Sequence, residues 1–154
     1  MNCSLAIATV LITAPAAEVQ TPARVEASVS STATSTQFDE VIAQARGLKA
    51  TVDLWISGQD YRASGFIGGE DFTRFGARIG QLAELNMAHH HRLRAAGTDG
   101  DLTCILRGIG EDLPKKLEAI QAAPDDDERA LALTEMAYLL NDNVEVILAP
   151  PPNP

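Results

Sequence analysis

The stretch GEDFTRFGARIGQLAELNMAHHHRLRAAG, residues 69–97, decides how this chain folds. Phe72, Phe75, Ile79, Leu82 and Leu93 recur at spacings that place them on one face of a helix. Gly97 is expected to close that helix. Gly76 and Gly80 lie four apart on the flank of the stripe, which predicts a close helix crossing there. Glycine inside a helix costs roughly 1 kcal/mol relative to alanine, so the pair needs such a reason. All three histidines of the protein, His89, His90 and His91, fall near the end of the segment.

Helical geometry separates the three histidines. Each residue turns the helix by about 100°, so three in succession spread over roughly 200°. His89 falls on the apolar stripe, His90 toward its edge and His91 on the opposite side. They cannot close on one metal ion while the helix stays regular. A helix-borne metal pair needs ligands three or four apart. Those positions hold Leu85, Asn86, Met87, Ala88, Arg92, Leu93, Arg94 and Ala95, none of them a carboxylate or histidine. Met87 and His91 are four apart and suit a soft ion, but two ligands do not make a site.

The same period recurs in three further segments. Residues 35–58, STQFDEVIAQARGLKATVDLWISG, place Phe38, Val41, Ala45, Leu48, Val52 and Trp55 on one stripe. Ser35 or Thr36 is expected to cap the start, and Gly58 to end it. Residues 101–123 carry Leu102, Ile105, Leu106, Ile109, Leu113, Leu117 and Ile120. Pro114 interrupts that stripe, so a kink near residues 108–114 or two short helices is expected. Asp125, Asp126 and Asp127 open the last segment, whose stripe is Leu133, Met136, Ala137, Leu140, Val144 and Ile147. Leu131, Leu139 and Val146 lie off that stripe, which predicts cover on a second side by a partner or by the N-terminal spacer. Between the first two segments, Tyr61 and Phe66 sit in a glycine-bearing loop and are expected to tuck onto the end of the core, or else to line a ligand pocket. Four such segments with short connections predict an all-α, antiparallel four-helix bundle over residues 36–148.

The ends read differently. Residues 1–16 hold an apolar run, Leu5 to Ile12, followed by Ala14-Pro15-Ala16, the small-x-small pattern of a cleavage site. They predict a signal peptide, although no Lys or Arg precedes the run. Residues 17–35, rich in Ser, Thr, Ala and Val, are expected to form a flexible, disordered spacer. Residues 149–154 form a Pro-rich tail that cannot continue a helix. Removal of Cys3 with the signal would leave Cys104 as the only thiol, a candidate for an inter-chain disulfide on the back of the third helix.

A net charge of −9, with 12 scattered basic residues, excludes a phosphate-binding surface, so no nucleic-acid partner is expected. No basic amphipathic stretch suits an anionic membrane, and no span is expected once the signal is gone. The chain has no G-x-S-x-G, Walker loop, G-x-G-x-x-G or H-E-x-x-H, and no C-x-x-C-H haem attachment. These absences lead to an expectation of no enzymatic activity. The first functional reading is an exported, periplasmic or secreted protein that binds a protein partner or a second copy of itself. The alternative is a carrier of a metal ion or haem held by His89 with Met136. A third, structural reading places Asn86, His89 and Asn143 in a buried polar layer that fixes helix register.

Overall fold

The computed structural model describes residues 38–97 and 100–150. The expected signal peptide, the spacer, Cys3, Ser35, Thr36 and the last four residues of the tail lie outside these. Within them the chain forms four helices: α1 (Asp39–Gly58), α2 (Glu70–Ala95), α3 (Asp101–Ala122) and α4 (Asp126–Leu148), with a short 3₁₀ turn at Asp60–Arg62. All regular elements among the described residues are helical, and consecutive helices alternate in direction. Helix α1 packs on α2 and α4, and α3 packs on the same two. The result is the expected antiparallel four-helix bundle.

The predicted stripes are its core. Phe38 at the cap of α1 and Val41, Leu48 and Val52 within it share one core with Ile79 and Leu82 of α2, Leu106 and Leu113 of α3, and Leu133, Met136 and Leu140 of α4, all buried. Burying each such side chain contributes about 1.5–3 kcal/mol, so the stripe outweighs local preference in deciding where helices lie. At the end nearest the 59–69 loop the core turns aromatic. Trp55 meets Phe66 edge-on at 5.1 Å and Phe75 at 4.9 Å. Tyr61 is buried and Phe66 half-buried, so both cover the bundle end as expected. The shallow cleft beside them is lined by Trp55 and Phe75, together with Arg74 and Arg78, rather than by the two loop aromatics.

Several local features differ from the sequence reading. The cap position of α1 belongs to Phe38, which has no side-chain cap bond. Its ring is fully buried against His89, and that packing fixes the helix start. Gly58 remains helical, and Gln59 takes the left-handed turn at φ 59°. Helix α3 stays one helix through Pro114 rather than splitting in two. Leu106, Ile109 and Gly110 before the proline, and Leu113 and Ile120 around and after it, are all buried. Packing on both sides therefore holds the helix across a break worth about 3 kcal/mol. Of the two flank glycines, Gly76 alone makes a close crossing, where an added Cβ would stand 3.3 Å from Leu117 Cδ2; Gly80 faces open space. Helices α2 and α3 also come close at Gly110, where a Cβ would meet Met87 Cγ at 3.0 Å and the Ala83 carbonyl at 3.1 Å.

The start of α4 follows expectation. The Asp125 carboxylate accepts the Glu128 N–H at 2.9 Å, and three further acids occupy the first turn. The helix ends before Pro150. Leu139 and Val146 pack, half-buried, against the same core, so the second cover expected for them comes from within the bundle. Leu131 stays exposed.

Candidate functional site

The polar side chains that the stripes carry inward are Asn86, His89 and Asn143, and the structure gives them separate partners. Asn86 and Asn143 are both fully buried. Each amide donates to the other's carbonyl oxygen, at 3.0 and 2.8 Å, and Asn86 Nδ2 also donates to the Leu82 carbonyl. This reciprocal pair crosses the middle of the bundle from α2 to α4. Removing one amide would leave the other buried without its partner, a loss of about 1–3 kcal/mol. A one-residue shift of either helix would do the same, so the pair specifies register.

His89 is buried but bonds to neither asparagine. Its ring packs on Phe38 at 4.4 Å, and Arg92 Nη1 donates to its Nδ1 at 3.4 Å. A guanidinium can only donate, so this contact favours the neutral ring with Nδ1 bare. Burial holds its pKa below the ordinary value, the Arg92 charge adds to that, and Glu40 opposes it.

His90 departs from the edge position expected of it. It is buried, and its Nδ1 donates to the Thr103 carbonyl at 2.8 Å, tying the end of α2 to the start of α3. That bond spans a helix connection, so helical periodicity alone could not reveal it. His91 is exposed, as expected. Cys104, one residue beyond Thr103, is half-buried.

The structure does not bring His89 and Met136 together. Helices α2 and α4 run in the same direction and are level at Asn86 and Asn143. His89 lies three residues beyond that level and Met136 seven before it, a separation of about 15 Å along the axis. Met136 is fully buried among apolar side chains. Among the described residues no group of three or more His, Cys, Asp or Glu is placed to hold a metal ion. A haem or metal at His89 Nδ1 would have to displace the Arg92 guanidinium.

Two further residues were not singled out in the sequence. Arg129 donates from Nη1 to the Tyr61 carbonyl at 3.2 Å and to Asp126 at 3.0 Å, and from Nη2 to the Ala123 carbonyl at 3.3 Å. It clamps the 59–69 loop and the α3–α4 connection to the start of α4. Nothing in local spacing signals a contact between residues so far apart in the chain.

The second is Tyr138. It is 68% exposed, and Leu131, seven residues earlier on the same side of α4, is 60% exposed. Two turns apart, with exposed Glu135 between them, they mark a ridge on the face opposite the core. A groove of about 450 Å³ runs on one side of it, between α4 and α1, lined by Ile56, Thr134, Ala137, Tyr138 and Asn141 among others. A second groove of about 360 Å³ lies toward α3, with Ala119, Ala122 and Leu131 in its lining. The other exposed acids of α4, namely Asp127, Glu128, Asp142 and Glu145, flank the ridge. The sequence signal that could have found this surface is the seven-residue spacing of Leu131 and Tyr138 opposite the stripe.

No protein-family model, no curated protein and no solved structure matches this chain. The fold and the site define a class, an all-α four-helix bundle with a structural polar pair inside and an exposed ridge outside. Among the described residues no helix is long and apolar enough to cross a membrane.

Proposed function

We propose that this protein is an exported, non-enzymatic binding protein that acts through a protein–protein contact on the outward face of α4. The observation that carries the reading is the exposure of Leu131 and Tyr138, 60% and 68%, two turns apart on one side of α4, each lining a groove beside it. Large apolar side chains left exposed beside a groove are the kind that a protein partner buries. The buried polar groups support the same reading, since Asn86 and Asn143 spend their hydrogen bonds on each other and His89 packs on Phe38. Export is supported by the apolar run at Leu5 to Ile12 and by Ala14-Pro15-Ala16.

The test compares tagged full-length chains recovered from their native source. Wild type is expected to bring down a stoichiometric partner that Leu131→Ser/Tyr138→Ser loses. Leu54→Ser, at an exposed leucine on α1, is expected to keep it. No partner with wild type, or one equally retained by the double variant, would overturn the proposal.

A further inference from the structure

We infer that the partner presents a cationic amphipathic helix, laid along the ridge of α4 with its apolar side on Leu131 and Tyr138. The inference rests on the proposed binding role and adds the chemistry of what binds. Tyr138 borders the groove toward α1 and Leu131 the groove toward α3, and the apolar side of a helix laid along α4 would reach both. Charge then selects among helices. Besides Glu135, which Lys116 pairs, the exposed acids of α4 are Asp127, Glu128, Asp142 and Glu145, while the helix has no lysine. Its one arginine, Arg129, is spent on Tyr61, Ala123 and Asp126. At the rim toward α1, Lys49 is paired with Asp53, and toward α3, Lys116 with Glu135.

A second copy of this chain would bring the same carboxylates against one another, which opposes self-association through this face. An acidic peptide or an anionic lipid surface would be repelled for the same reason. A helix with lysine or arginine flanking an apolar stripe satisfies both features at once, with the apolar contact giving affinity and the flanking charges giving orientation and speed of encounter.

The test titrates the full chain with a synthetic amphipathic helix of leucine and lysine, and with a matched helix carrying glutamate for lysine. The lysine helix is expected to bind, more weakly as salt rises, and the glutamate helix not to bind. Leu131→Ser/Tyr138→Ser is expected to weaken binding roughly tenfold or more, and Asp142→Asn/Glu145→Gln to weaken it several-fold. Glu84→Gln/Glu118→Gln removes the same charge from exposed positions on α2 and α3 and is expected to leave binding unchanged. Equal weakening by that control would reduce the effect to net charge and overturn the inference. So would binding of the glutamate helix, or a dimer in light scattering that Leu131→Ser/Tyr138→Ser abolishes. Should neither helix bind while the native partner is still recovered through Leu131 and Tyr138, the cationic helix falls and the binding role stands.

Discussion

The polar residues inside this bundle each have a structural reason to be there, and His89 turns that reason into a measurable pH dependence. Protonating it in the folded chain would place a second cation beside Arg92 in a buried setting. The unfolded chain, with the ordinary value of 6.5, takes the proton first. The stabilisation from neutral His89 is therefore fully present above that value. It is lost as pH falls through the lowered folded value. Urea unfolding of wild type is expected to show stability declining as pH falls below about 6.5, with a shallower decline in His89→Gln. An identical slope in the variant would assign the decline elsewhere. The inward position of His89, and of Asn86 and Asn143, was legible in the sequence because it depends only on the turn per residue. The Thr103 bond of His90 and the clamp at Arg129 were not, because each depends on where a second element ends.

At the scale of the helices, the apolar stripes were readable nearly in full, while the ends were not. Phe38, rather than a serine or threonine, opens α1 because burial against His89 outweighs the gain from a side-chain cap. Helix α3 survives Pro114 because both halves of its stripe are buried. The glycines divide by what stands opposite them, which no local pattern records. Gly80→Ala meets open space and is expected to raise stability by about 1 kcal/mol, the ordinary helix preference. Gly110→Ala would drive a methyl group onto the Ala83 carbonyl at 3.1 Å. Backbone cannot swing aside as a side chain can, so a net loss of about 1–3 kcal/mol is expected despite the better helix former. Denaturant midpoints of the two variants check the contrast, and a shift of the same sign in both would contradict it.

Across the whole molecule, the interior and the surface divide the work. Inside, the core and the Asn86–Asn143 pair fix four helices in one register. Outside, α4 leaves Leu131 and Tyr138 exposed, the surface on which the proposed partner would lie. Part of that was visible in the sequence, since Leu131 stood off the stripe of its helix. The sequence could not show that Leu139 and Val146, also off the stripe, would fold back against the core and leave Leu131 and Tyr138, with Leu148 at the helix end, exposed on α4. The measurement that tests this division most directly is an amide chemical-shift map of the full chain as the leucine–lysine helix is added. The expected result is change concentrated from Asp127 to Glu145 and on the groove-lining residues of α1 and α3, with Asn86 and His89 undisturbed. Change centred on His89 and Asn86, or spread evenly over the acids of all four helices, would contradict the account.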